Sequence, residues 1–271
     1  MAATTGKKRG FISEWVRTII YALALAGLIR TLIFQPFYIP SGSMKDTLLI
    51  GDFLFVNKFA YGYSYASCPR MFGVEFCGFA QGSNERIWGE EPKRGDVVVF
   101  RHPQNGADFV KRLIGMPGDR VRMANGVLFI NDVAAEQVPD GVFVEEYGPQ
   151  GPEGNRPICS NGLQGEGGIC EKERFIETLP GGVSHPVLNV TDNGSLDNTA
   201  EFLVPEGQYF FMGDNRDNST DSRVAAAARG VGFVPYENIV GRADRVIFSS
   251  AGRSLLAFWT WRADRFLTAV N

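Results

Sequence analysis

Between Thr18 and Met44 the only charged side chain is Arg30. Overlapping that stretch, Trp15–Phe34 supplies twenty mostly apolar residues, roughly 30 Å as a helix, the thickness of a hydrocarbon core. Arg17 and Arg30 fall near its two ends, where long side chains can reach the interface. Lys7, Lys8 and Arg9 precede the run, and basic flanks stay on the cytoplasmic side. The sequence therefore predicts a basic cytoplasmic tail over 1–14, a transmembrane anchor over 15–35 and the body of the chain across the membrane. Two other readings compete. A buried core helix would be equally apolar. A signal peptide cut after Ala24-Leu25-Ala26 would leave an exposed apolar Gly27–Phe37 behind it, which favours an uncleaved anchor.

Composition narrows the chemistry. The 271 residues hold only two histidines, His102 and His185, far apart and outside any HExxH pattern. That argues against a zincin and most His-rich metal sites, so no metal or other cofactor is expected. No Walker A, GxGxxG or kinase pattern occurs. With a net charge of −3, nucleic acid is not an expected partner. The four cysteines form two local pairs, Cys68/Cys77 and Cys159/Cys170, in loop-like sequence without zinc-knuckle spacing. An exported body would allow two small-loop disulfides, with other pairings or free thiols as alternatives.

The body reads as mainly β, an antiparallel β-sheet domain. Asp52–Lys58, Asp96–Arg101, Phe109–Ile114, Gln208–Met212 and Ile239–Phe248 are rich in Val, Ile, Phe and Tyr. Arg120–Met123 and Val127–Ile130 flank an Asn125-Gly126 turn that predicts a hairpin. Segments 61–92 and 132–201 read as polar insertions into a domain spanning 36–250. The second carries thirteen acids against three bases and eleven glycines, and is expected to be solvated and loop-rich. Residues 251–271 mix Leu255, Leu256, Phe258, Trp259, Trp261, Phe266 and Leu267 with three arginines, which suggests an amphipathic helix, interfacial or docked on the sheet.

Three segments could carry chemistry: Pro40-Ser41-Gly42-Ser43-Met44, Asp108-Phe109-Val110-Lys111-Arg112 and the polar run Gly213–Arg223. Each alone has a plain structural reading as a turn, a solvent-facing strand or a self-bonded loop. The last also lacks the Gly and Glu of an EF-hand, with Ser222 and Ala228 in their places. Strand alternation puts Lys111 on one face with Phe109 and Leu113, and Arg112 on the other with Val110 and Ile114. A lysine on an apolar face loses solvation of its ammonium form, so its pKa falls. A neutral lysine can deprotonate a serine hydroxyl, and a serine nucleophile then needs no histidine.

Ile39–Met44, Gly51-Asp52 through Lys58–Gly62, Asp108–Gly118 and Gly213–Arg223 together resemble bacterial type I signal peptidases (leader peptidases), in the family's order. The resemblance implies a β-sheet core whose edge takes substrate as an added strand. It implies Ser43 as nucleophile, Lys111 as general base, and Ser41 with the Ser43 N–H as oxyanion hole. Ser219 would orient the lysine amine, and Asp221 and Arg223 would form a supporting ion pair. Ile39, Met44, Leu48 and Val110 would line the pocket beside the cut, with Phe37 nearby; Pro40 and Asp108 are also expected at the substrate. The expected protein is a monomeric, single-pass serine endopeptidase of the bacterial inner membrane, its catalytic domain periplasmic. Its partners would be the lipid bilayer and signal peptides of exported preproteins, cut after Ala-x-Ala. This sequence departs from the family's x-Pro-Thr-Leu after Ser-Met, reading Lys45-Asp46-Thr47-Leu48. It also has Val224–Arg229 in place of an aromatic-rich continuation. Two rivals are a self-cleaving SOS-repressor-type peptidase, which would lack the anchor, and a membrane-tethered binding module, which would not need all four of Ser41, Ser43, Lys111 and Ser219.

Overall fold

The structure, a computed structural model, describes residues 11–32, 34–67, 70–71, 74–75, 86, 89–252 and 255–270. The chain opens with α1 (Phe11–Leu32), in which Glu14, Arg17 and Arg30 interrupt the apolar sequence. Among the described residues no helix is long and apolar enough to cross a membrane. Residues 14–25 of α1 are all exposed, Trp15 at 58% and Leu23 at 67%, so this part of α1 is not a core helix of the domain.

The rest is built from antiparallel strand pairs. In chain order the first six are β1 (Phe34–Tyr38), β2 (Asp52–Asn57), β3 (Arg70–Met71), β4 (Val74–Glu75), β5 (Val97–Arg101) and β6 (Asp108–Gly115). Then come β7 (Arg120–Ala124), β8 (Val127–Ile130), β9 (Val133–Ala134), β10 (Glu136–Glu146), β11 (Ile169–Thr178) and β12 (Ser184–Asn189). The last are β13 (Phe202–Leu203), β14 (Gln208–Met212), β15 (Val234–Pro235), β16 (Ile239–Ser249) and β17 (Thr268–Ala269). The main sheet runs β1-β2-β16-β5-β6-β14-β15, with β17 also on β16. β2 alternates buried and half-buried residues, whereas β5, in the middle of the sheet, is buried at every position and reads accordingly as Val-Val-Val-Phe-Arg. β7 and β8 form the expected hairpin, and Asn125 (φ 49°) and Gly126 (φ 76°) supply its two positive φ angles.

Segment 132–201 is more ordered than expected. It holds a separate sheet, β10-β11-β12, whose ten- and eleven-residue strands pair over most of their length. Its acids had hidden the alternation, and a bulge between Pro139 and Val142 breaks the period where Gly141 sits at φ 81°. Cys159 and Cys170 are bonded across the β11 end of this sheet, their Cα atoms 5.0 Å apart. Cys68 and Cys77 lie outside the described residues.

The described part of 251–271 is not an α-helix. It consists of two 3-10 turns, Phe258–Thr260 and Ala263–Arg265, followed by β17. Of the arginines that suggested a polar helix face, Arg262 and Arg265 point inward instead. Arg265 pairs with fully buried Asp52 at 2.6 Å, and Arg262 donates to Ile50 O at 2.9 Å. Trp261 and Phe266 then pack on Phe248, which leaves Leu256, Phe258 and Trp259 exposed.

Candidate active site

The register of β6 determines what its lysine faces. β5 pairs with Asp108–Arg112, but β14 pairs only with the far end of β6, from Arg112 to Gly115. Residues 108–111 therefore keep one open edge. β1 is the terminal strand of the same sheet and has an open edge of its own. Between these segments lies a cavity of about 410 Å³, lined by Phe37–Ser41, Ser43, Val99, Asp108–Lys111, Asn218 and Thr220. Ser43 and Lys111 meet at its floor, with Lys111 Nζ 2.5 Å from Ser43 Oγ. Lys111 Nζ also donates to Val110 O at 3.1 Å and lies 5.5 Å from the Phe109 ring centroid. The side chain is 3% exposed. Burial lowers its amine to about 8, with help from Arg223 and against Asp221 and Asp214, which favour the ammonium.

The polar run after β14 supports this pair from behind. Asn215 donates its N–H to Ser43 O at 3.1 Å and its amide to Gly42 O at 2.9 Å. Arg223 grips Asp221 with two guanidinium bonds of 2.9 Å and its own N–H at 3.2 Å, and the Gly213 N–H donates to the same carboxylate at 3.0 Å. Burial alone would raise the Asp221 carboxyl, but the adjacent guanidinium outweighs it and holds the group below its ordinary value. Gly213 has a steric reason to be glycine: a Cβ there would lie 2.5 Å from Ser43 O and 2.3 Å from Ser219 Oγ.

Of the expected residues, the structure brings Phe37, Ile39, Pro40, Ser41, Ser43, Asp108, Val110 and Lys111 to one cavity. Met44 and Leu48 lie one layer deeper. A Leu48 N–H bond to Met44 O, 2.7 Å, turns both into the core, where they are fully buried beside Ile39. Ser219 also differs from expectation. Its hydroxyl makes no hydrogen bond to Lys111, whose amine turns to Ser43 and Val110 O; it is buried against Gly213 and helps hold the Asp221 carboxyl down. The Ser43 N–H bonds to no described residue and stands beside the exposed Ser41.

Several contributors were not legible in advance. Tyr38, Val99, Asn218 and Thr220 share the cavity with Phe109, the apolar neighbour that strand alternation gave to Lys111. Arg112, noted only for its strand face, forms a bidentate pair with Asp214 at 2.9 and 2.8 Å, both wholly buried. Asp214 accepts Thr47 Oγ1 at 2.5 Å as well, which ties the loop after Ser43 to the polar run. The Arg-Asp content of both motifs was the available signal. Neither histidine lines the cavity. His102 sits on Phe109, and His185 is buried between Glu177 and Asp214, where desolvation holds it down at about 4, and so neutral. Among the described residues no cluster of His, Cys, Asp or Glu could hold a metal ion.

A family profile described as "Signal peptidase, peptidase S26" matches residues 12–248. The chain belongs to this family. Signal peptidase I of Rickettsia typhi is 38% identical over 246 residues, 88% of this chain and 81% of the relative. Signal peptidase I of Rickettsia canadensis is 36% identical over 253 residues, 91% and 83% of the two chains. A crystal structure of a signal peptidase I from Enterococcus faecalis aligns at 28% identity and a TM-score of 0.30. It covers 56% of this chain and 97% of that one. The family match takes in the Ser43, Lys111 and 213–223 segments, so this S26 family member carries its cavity within the matched region.

Proposed function

We propose that the protein is a membrane-anchored serine endopeptidase that removes signal peptides from exported preproteins after an Ala-x-Ala-like motif. The observation that carries this reading is the buried Lys111 amine 2.5 Å from Ser43 Oγ, in a cavity bounded by two open strand edges. An extended peptide laid between β1 and residues 108–111 can pair with the outer edges of the two strands. Alternate side chains then point the same way, so two residues separated by one enter the cavity together, where Phe37, Ile39 and Val110 leave room for small groups.

In the first half-reaction neutral Lys111 takes the Ser43 proton while Oγ attacks the scissile carbonyl. The oxyanion that forms is held by the Ser43 N–H and the Ser41 hydroxyl. As the C–N bond breaks, the Lys111 ammonium returns its proton to the leaving amine, and an acyl-Ser43 ester remains. Lys111, neutral again, then deprotonates a water whose attack on the ester releases the carboxylate product and restores Ser43. Asp221–Arg223 and Arg112–Asp214 hold the surrounding loops in place.

Residues 15–35 cross the bacterial inner membrane once, with 1–14 cytoplasmic and 36–250 forming a periplasmic catalytic domain that acts as a monomer. Support comes from the basic flank and from the uncovered apolar side chains of α1. Leu256 and Trp259, 88% and 75% exposed, are further lipid contacts. The test is cleavage of an Ala-x-Ala preprotein by purified protein in detergent, alongside Ser43→Ala and Lys111→Ala. Both variants are expected to be inert; equal cleavage by all three would end the assignment. Protease added to spheroplasts should digest the body, and a protected body would reverse the orientation.

A further inference from the structure

The segment that follows Ser43 lacks the proline of the family pattern and carries Lys45-Asp46 instead. Proline would fix one backbone φ angle close to the nucleophile. Here both polar side chains are taken up by the β10–β12 insertion. Lys45 is 3% exposed, and its ammonium lies 2.5 Å from Glu145 Oε2 and 2.7 Å from Gln150 Oε1. Lys172, also buried, pairs with the other oxygen of Glu145. Asp46 accepts from Arg174 Nε at 2.6 Å, and Asn155 donates to Pro40 O at 2.8 Å. The stretch from Pro40 to Asp46 is thus gripped at three points by strands β10 and β11 and the connection between them, at least one hundred positions away in sequence.

We propose that the β10–β12 insertion positions the nucleophile, with Glu145 acting through Lys45 and Arg174 through Asp46 to keep Ser43 in line with Lys111. This rests on Ser43 being the nucleophile and Lys111 its base. The polar run holds the opposite side of the same loop through Asn215 and Asp214. Only the two clamps together define the loop position. Glu145 matters most because it is the carboxylate between two buried lysines. Without it, two ammonium groups face each other with no anion, and Lys45 is driven out toward water. Lys45, Glu145 and Arg174 do not line the cavity, so their loss should leave substrate binding alone and act on the chemical step. Misplacement of a reacting group by about 1 Å can cost about a hundredfold in rate.

The experiment measures kcat and KM for preprotein cleavage by the full chain in detergent, with thermal unfolding of each variant. Glu145→Gln is expected to lower kcat at least about tenfold with KM within about twofold. Adding Lys45→Met, which removes the stranded charge, should bring kcat back to within about threefold of wild type. Arg174→Ala and Asp46→Ala should each lower kcat, and the double variant should be no slower than the worse single one, because the pair acts as a unit. If Glu145→Gln does not fold, this second cycle decides on its own. Arg174→Lys should recover most of the Arg174→Ala loss. Unchanged kcat in both cycles, a loss confined to KM, or additive losses for Arg174 and Asp46 would overturn the proposal. Failure of the underlying reading looks different: Ser43→Ala would then cleave, and the positioning role would fall with it. An inert Ser43→Ala beside four variants of wild-type kcat would overturn the positioning role alone.

Discussion

If Lys111 works as a neutral base, its protonation must govern both rate and stability. Its amine is lowered from 10.5 to about 8 by burial. At 1.36 kcal/mol per pH unit that difference is about 3 kcal/mol. With a pKa of about 8, about 1% of the enzyme holds a neutral lysine at pH 6, about 10% at pH 7 and about 90% at pH 9. The expected kcat/KM therefore rises about tenfold per pH unit below 8 and levels off above about 9. Replacing His102 and His185 by Gln should leave that profile in place, since neither ring lines the cavity. The effect on folding has the opposite sense from that of a salt-bridged lysine. The folded amine binds its proton more weakly than the unfolded one, so the stability contributed here rises with pH between about 8 and 10.5. The full cost, up to about 3 kcal/mol, is present below about 8. Lys111→Met should then be inactive yet more stable than wild type at pH 7, by about 1–3 kcal/mol in urea unfolding, and this gain should vanish above pH 11. Lys111→Arg stays charged and should be inactive at every pH. A rate flat from pH 6 to 9, an active Lys111→Arg, or a Lys111→Met that is less stable at pH 7 would refute the neutral-lysine argument.

The remaining predictions concern the supports around the pair. Asp214→Ala removes the carboxylate that faces the wholly buried Arg112 guanidinium and should destabilise the fold by about 3–5 kcal/mol, read by denaturant unfolding. Gly213→Ala drives a methyl group against Ser43 O, a backbone atom, so it should cut activity sharply. Gly42→Ala meets only the movable ends of Lys45 and Asn218 and should be milder in the same cleavage assay. Reducing the Cys159–Cys170 bond reopens a short loop, its ends 11 positions apart, and should cost about 3 kcal/mol of stability, seen as a lower Tm in dithiothreitol.

The two halves of the site were unequally readable, and the reason is distance along the chain. Lys111 and its apolar face follow from strand alternation over five residues. Ser43 sits in a short turn, and the Asp221–Arg223 pair is two residues apart. Such features leave local patterns. The β5 run and the Asn125-Gly126 hairpin were legible for the same reason. The charge network around the loop after Ser43 leaves none. Lys45 meets Glu145 one hundred residues later, and Arg174 meets Asp46 across 128. Each of these side chains, read alone, is an ordinary surface charge. The acids of 132–201 accordingly looked like solvated-loop residues, although Glu145 and Glu177 stand opposite buried cations of the Ser43 loop and the 213–223 run, Lys45 and Arg216. The C-terminal arginines misled in the same way: a spacing that suits a polar helix face also suits side chains reaching inward to Asp52 and Ile50 O. A charge-rich segment is therefore weak evidence for solvent exposure wherever an unexplained opposite charge remains in a motif. Here Asp46, which stands where the family pattern has proline, and its neighbour Lys45 were that unexplained charge.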